Sequence, residues 1–144
     1  MYLKHFDELT KEELYEILKA RESVFVVEQN CPYQEIDGKD LNAYHLWIDN
    51  EDGKILSYLR FFQRDGDTAV IGRVFSLERG KGYALTLLLE AVSQIQKKYD
   101  VSKIHLEAQV YAKGLYEKAG FTVCGAEFLD DGIPHVPMMM ELKK

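Results

Sequence analysis

The chain has 144 residues, 47% of them hydrophobic and 29% charged, with 18 Lys and Arg against 24 Asp and Glu for a formal net charge of −6. Its length suits one domain with a core of its own, and an acidic balance with scattered basic residues argues against nucleic acid as a partner. No apolar run approaches the roughly 20 residues that cross a bilayer, so no membrane partner is expected.

The first residues lack the apolar stretch and cleavage site of a signal peptide, and a cytoplasmic location is expected. Cys31 and Cys124 lie far apart and form no CxxC pair, which argues against a structural zinc site; no metal is expected. No repeat, low-complexity stretch or linker interrupts the chain, so residues 1–144 read as a single domain.

Thr10-Lys11-Glu12-Glu13 has the form of a capping box, and Leu14, Ile17, Leu18 and Phe25 follow on one helical face. A first helix is therefore expected from about Lys11 to the mid-twenties. Gln29 to Asp40, with Asn30, Pro32, Asp37 and Gly38, reads as a structured loop. His45–Ile48, Ile55–Phe62 and Thr68–Phe75 are strand-like and are separated by Asp52-Gly53 and Asp65-Gly66, the pattern of an antiparallel meander. Trp47, Phe61 and Phe62 read as packing residues. Beyond Gly80–Gly82, the spacing of Leu85, Leu88, Leu89, Val92 and Ile95 predicts a helix ending near Tyr99. A strand is expected over Ile104–Val110, a short helix over Lys113–Ala119 and a strand over Phe121–Phe128 with Cys124 in the core. A turn at Asp131-Gly132 leads to a last strand over Val136–Leu142. This order is that of an α+β (mixed α/β) domain with one central sheet.

Chemistry concentrates where Phe75-Ser76-Leu77-Glu78-Arg79-Gly80-Lys81-Gly82-Tyr83-Ala84 turns from strand to helix. Small residues let a backbone approach a ligand, a helix start offers free amides, and Arg79 and Lys81 add charge; together these suit a phosphate or pyrophosphate. A glycine-rich turn with solvated basic residues fits the same letters. The spacing is not that of a Walker loop, and a turn that follows an antiparallel meander is not a Rossmann fingerprint.

Arg79-Gly80-Lys81-Gly82-Tyr83-Ala84 resembles the Q/R-x-x-G-x-G/A signature of GNAT acyltransferases, with Ala84 in place of a third Gly. Gln109 to Phe121 is similar to the family's N-x-x-A-x-x-x-Y-x-x-x-G-F segment, with Gln109 where many relatives carry Asn. Val26–Gln34, Asp37-Gly38, Ile71–Val74 and Asp131–His135 resemble the ElaA-like subgroup. The resemblance implies a mostly antiparallel central sheet splayed between its fourth and fifth strands, with flanking helices. It implies acetyl-coenzyme A as donor and a small-molecule or peptide amine as acceptor. Arg79, Gly80, Lys81, Gly82, Tyr83 and Ala84 would then surround the pyrophosphate, backbone groups of Val74, Phe75 and Ser76 would pair with the pantetheine arm, and Gln109 would also meet the donor.

Tyr116, at the family's tyrosine position, is the candidate to hydrogen-bond to or protonate the departing thiolate. Glu28 and His45 are the candidates to take a proton from the acceptor, though each also reads as a surface carboxylate or a bonded sheet residue. His135 could line the acceptor pocket or organise its turn. Cys31 has no evident local base, which favours direct transfer in a ternary complex over a thiol relay. Two rival readings stand beside this one: an acyl-homoserine-lactone-synthase-like enzyme, whose Arg-x-x-x-Phe pattern Arg21 to Phe25 fits, and a non-catalytic acyl-coenzyme A sensor. Oligomeric state is open, a homodimer being one option.

Overall fold

The structure, a computed structural model, describes residues 1–78 and 80–143. Thr10 begins the first helix as its capping box requires: its hydroxyl accepts from the Glu13 amide at 3.0 Å, and Glu13 Oε1 accepts from the Thr10 amide at 2.9 Å. That helix, α1 (Lys11–Arg21), does not continue as one regular element. It widens into a π-helical turn over Glu22–Glu28, with Arg21 and Phe25 both buried against the sheet.

The remaining elements are β1 (Tyr2–His5), β2 (Tyr44–Asp49), β3 (Ile55–Gln63), β4 (Thr68–Ser76), α2 (Tyr83–Lys98), β5 (Lys103–Gln109), α3 (Lys113–Lys118), β6 (Thr122–Val123), β7 (Phe128–Asp130) and β8 (Ile133–Glu141). Among the described residues they form one eight-stranded sheet in the order β1-β2-β3-β4-β5-β8-β6, with β7 also paired to β8. Every pairing is antiparallel except β4 with β5. The sequence pattern misses β1, which is short and lacks a turn signal before β2, but its presence makes the splayed strands the fourth and fifth.

Alternation along each strand sorts the core into two faces. Leu46, Leu59, Phe61, Ala69, Ile71, Ile104, Leu106 and Ala108 meet α2 and α3, whose Leu87, Leu88, Ala91, Ile95 and Tyr116 complete that cluster. Trp47, Ile55, Tyr58 and Phe75 face the other way and pack with Ile17 of α1 and Phe25. Trp47 and Phe61 are buried as expected.

Two irregularities shape the sheet. β4 and β5 pair only at Thr68↔Lys103, Ala69↔Ile104 and Val70↔His105, then diverge. On its other edge β4 carries a bulge, since Tyr58 faces Phe75 while Arg60 faces Gly72. The strand expected over Phe121–Phe128 is instead two short pieces. Between Val123↔Met138 and Phe128↔His135, residues 124–127 face only 136–137 of β8. Pro137 has no N–H for the ladder, so it can only accept, from the Cys124 amide at 2.9 Å. Cys124 is consequently exposed and not the core residue expected.

The loop after the π-helical turn is fastened to the α1 face by ion pairs. Arg21, fully buried, donates to Glu35 Oε2 at 2.9 Å and Asp40 Oδ1 at 2.6 Å. Arg60 binds Asp40 Oδ1 at 2.9 Å and Asp37 Oδ2 at 2.7 Å, while Arg73 pairs with Glu35 and, at 3.4 Å, with Asp37. Three guanidinium groups therefore face three carboxylates. The same arginines hold the Asp37 and Asp40 carboxyls below the usual range, against the opposing pull of burial.

His45 lies beneath this network with no exposure. Its Nε2 reaches the Asp40 carbonyl at 3.2 Å and its Nδ1 the Tyr58 hydroxyl at 2.7 Å. The carbonyl can only accept, so Nε2 carries the proton and Nδ1 accepts from the phenol, as in neutral imidazole. Burial pushes the His45 pKa down to about 4. An imidazole that titrates near 6.5 when unfolded thus contributes stability present above that pH and lost as pH falls towards 4. Between pH 7 and pH 5 the unfolding free energy from urea titration should drop by about 2 kcal/mol on this account. His45→Gln should lose markedly less over that interval. His105, also pushed down by burial, titrates in both proteins and cancels. Equal losses would show that His45 is not the group responsible.

Candidate active site

Where β4 and β5 part, a cleft of ≈510 Å³ passes through the sheet. Ile71 to Leu77 line it on one side and Leu106, Glu107 and Gln109 on the other. On the α2 face Tyr116 of α3 enters its wall. On the α1 face it is bounded by Phe25, Glu28, Gln29, Cys31 and Tyr33, and by the β7–β8 hairpin with Asp130, Asp131 and His135.

Tyr116 is only 7% exposed, and its hydroxyl has no hydrogen-bond partner among the described residues. Burial pushes its pKa well above that of a free phenol, so it is a donor at neutral pH and not a base. Across the cleft the Gln29 and Gln109 amides bond reciprocally, at 3.1 and 3.3 Å. Each keeps one further N–H and one carbonyl lone pair for a third group.

The hairpin turn has positive φ at both Asp131 (51°) and Gly132 (78°), the type I′ geometry that Asp-Gly favours. It brings the Asp131 carbonyl to within 3.4 Å of the Cys31 thiol, which donates to it. Burial, together with the nearby Asp131 and Asp130 carboxylates, pushes this thiol pKa up and so depletes the reactive thiolate. His135 donates Nδ1–H to the Ile133 carbonyl at 2.7 Å and stacks on Phe128, so it both lines the cleft and organises its turn.

Of the expected donor-binding residues, Val74, Phe75, Ser76 and Gln109 line the cleft. Gly80, Lys81, Gly82, Tyr83 and Ala84 do not line it, and Arg79 falls outside the described residues. Gly80 and Gly82 have φ of 78° and 74°, and a Cβ on either would meet nothing within 4 Å. α2 starts at Tyr83 without a side-chain cap, so its first amides are available to an anion in that open corner.

Of the two candidate bases, Glu28 lines the cleft and is exposed, whereas His45 does not line it. Full burial, with both ring nitrogens engaged, puts His45 out of reach of anything in the cleft. The sequence reading gives no role to Gln29, Arg73, Tyr33 or Asp130, all of which line it. A hint lies in Ile71-Gly72-Arg73-Val74, where Gly and Arg interrupt an apolar strand.

Residues 6–142 match the family model described as an acetyltransferase (GNAT) domain. A UPF0039 protein of Schizosaccharomyces pombe is 42% identical over 142 residues, covering 96% of this chain and 95% of that one. Protein ElaA of Escherichia coli is 36% identical over 145 residues, covering 96% and 94%; its crystal structure superposes with a TM-score of 0.89 at 33% identity, covering 96% of each chain. An acyl-CoA N-acyltransferase from Pseudomonas aeruginosa superposes with a TM-score of 0.86 at 38% identity, covering 96% and 97%. The AHL synthase LasI, 18% identical with a TM-score of 0.75 over 99% and 89% of the chains, shares the fold alone.

The bulge in β4 places Arg73 at φ 56°, a left-handed conformation that strains a side-chain-bearing residue by about 1–3 kcal/mol. Its ion pair with Glu35 and the donation from its Nη2 to the Glu35 carbonyl at 2.9 Å offset that strain. Arg73→Ala and Arg73→Gly both remove these bonds, but only glycine relieves the backbone. By urea denaturation Arg73→Gly should be more stable than Arg73→Ala by about 1 kcal/mol, the reverse of the order in a regular strand. The ordinary order would mean that the bulge relaxes without strain.

Proposed function

The chain belongs to the GNAT acyltransferase family, among its ElaA-like members, and on that premise we propose that it transfers the acetyl group of acetyl-coenzyme A directly to an amine. The observation that carries this reading is the cleft through the sheet, with the largely buried Tyr116 in its wall and no hydrogen-bond partner for its hydroxyl among the described residues.

The donor is assigned to the α2 side. The open corner at Gly80 and Gly82, the uncapped helix start, Lys81 and Arg79 suit a pyrophosphate, whose charge the α2 dipole also favours. Val74, Phe75 and Ser76 lie where β4 has left β5, and their β5-facing backbone groups can pair with the pantetheine amides as an added strand would. Gln109, with its spare N–H, lies where the thioester would pass between the walls.

The amine nitrogen attacks the thioester carbonyl carbon; a C–N bond forms, the C–S bond breaks and the sulfur leaves with the electron pair. A thiol titrates near ~8.5 and the Tyr116 phenol well above its usual ~10, so Tyr116 stabilises the developing thiolate by hydrogen-bond donation. The proton that completes the thiol comes from the acylated nitrogen, which must shed one to become an amide. The acceptor enters from the α1 side, where Glu28 takes the first proton of the ammonium through water. The raised Cys31 thiol supports direct transfer over an acyl-cysteine relay.

Tyr116→Phe removes no internal hydrogen bond and should leave the melting temperature nearly unchanged. Thiol release from acetyl-coenzyme A should fall about 100-fold in kcat, with a small change in KM for the donor. Undiminished kcat would remove Tyr116 from the chemistry. Gly82→Asp sets a carboxylate in the phosphate corner and should weaken acetyl-coenzyme A binding at least tenfold by calorimetry, in protein verified as folded by circular dichroism. Retained affinity would contradict the donor site, and tight binding without turnover on any amine would favour the sensor.

A further inference from the structure

Building on the acyl-transfer reading, we infer that the acceptor carries a second positive charge besides the nitrogen that is acetylated, held between Glu28 on one lip of the cleft and Asp130 and Asp131 on the other. All three carboxylates border the cleft, and none has an ion-pair or hydrogen-bond partner among the described residues. The lips are joined at Cys31, whose thiol touches the Asp131 carbonyl at 3.4 Å, so the carboxylates flank one opening. Glu107 adds to the same side. Ile104, Leu106 and Ala108 of β5 face α2, which turns Glu107 and Gln109 towards α1.

Nothing in the lining cancels this charge. Its basic residues among those described are Arg73, committed to Glu35 and Asp37 within a network of three cations and three anions, and His135, whose Nδ1–H is spent on the Ile133 carbonyl. An independent sign that the cleft takes a polar ligand is Tyr116, more than nine-tenths buried in its wall with an unpartnered hydroxyl.

The reacting nitrogen cannot supply the missing positive charge, because it must be neutral when it attacks. A cation elsewhere on the acceptor can, and it keeps its charge through the reaction. The acidic lips also repel the phosphates of the donor, which favours its entry from the opposite face, where Lys81 lies.

The test uses amines with three- to five-carbon spacers ending in a second amine, a methyl group or a carboxylate, with release of free thiol from acetyl-coenzyme A as the readout. Diamines should exceed their methyl-ended counterparts at least tenfold in kcat/KM, and the carboxylates should be poorest. The diamine preference should shrink as ionic strength rises. The double variant Asp130→Asn, Asp131→Asn preserves side-chain size and leaves the proposed base Glu28 in place, and Asn tolerates the left-handed turn at 131. It should lower the preference about tenfold, chiefly through KM for the diamine. Thiol release with no preference, or a preference that survives the double variant, would overturn the second charge and leave acetyl transfer standing. No release with any amine, while acetyl-coenzyme A binds, would overturn both.

Discussion

Arg21, buried to zero exposure on the inner side of α1, is the constraint from which much of the rest follows. A guanidinium there is tolerable only if carboxylates come to it, and removing one partner of such a pair costs about 3–5 kcal/mol. Glu35 and Asp40 are both supplied by the loop after the π-helical turn, so burying Arg21 fixes that loop on the sheet. Glu35 in turn engages Arg73, and Arg73 occupies the bulge where β4 changes course. One chain of charge thus ties the helix, the loop that walls the cleft and the irregular strand into a single arrangement. An apolar core of equal volume could be as stable, but it would not dictate where the loop sits.

The sheet between α1 and α2 separates two electrostatic environments. On one side lie an uncapped helix start, two left-handed glycines and Lys81; on the other lie Glu28, Glu107, Asp130 and Asp131. The cleft between β4 and β5 opens because their parallel pairing lasts only three registers. Strands that stayed paired to their ends would satisfy these edges with each other and leave no cleft between them. The divergence and the bulge are therefore two aspects of one feature: β4 is bent away from β5 on one edge while its register with β3 slips on the other.

Much of this frame was legible in the sequence. The Thr10 capping box, the two Asp-Gly turns of the meander and the leucine spacing of α2 depend on local geometry, and local geometry is written in neighbouring residues. Motif resemblance singled out the glycine turn and Tyr116, of which Tyr116 lines the cleft and the turn does not. What escaped was set by distant partners. Arg21 sits on the same helical stripe as Ile17 and Phe25, and Arg60 falls within the apolar Ile55–Phe62 run. A charged residue at a core position is the one available hint of a buried network, and it does not say which carboxylates answer. His45 was misplaced for the same reason: a histidine reads alike in a cleft or beneath a network until Tyr58 and Asp40 are seen to satisfy both nitrogens. The break between β6 and β7 depends on Pro137 across the ladder, which no local pattern in Phe121–Phe128 reveals.

Acidic lips pose a difficulty for the proposed transfer to an amine, whose nitrogen must be neutral when it attacks. A lysine-like amine titrates near ~10.4, and adjacent carboxylates raise that value further by stabilising the ammonium. An acceptor whose reacting nitrogen rested directly against Asp130 or Asp131 would be held tightly and kept inert. On the proposed reading the geometry relieves this by distance: the uncharged Gln29–Gln109 pair spans the cleft, and Tyr116, proposed to donate to the departing thiolate, belongs to the far face. A nitrogen at the amide pair meets neutral dipoles and gains little from remaining protonated, while a charged group behind it keeps the carboxylates occupied. On the proposed reading, affinity and reactivity are then served by different parts of one acceptor, an arrangement that a singly charged amine could not exploit.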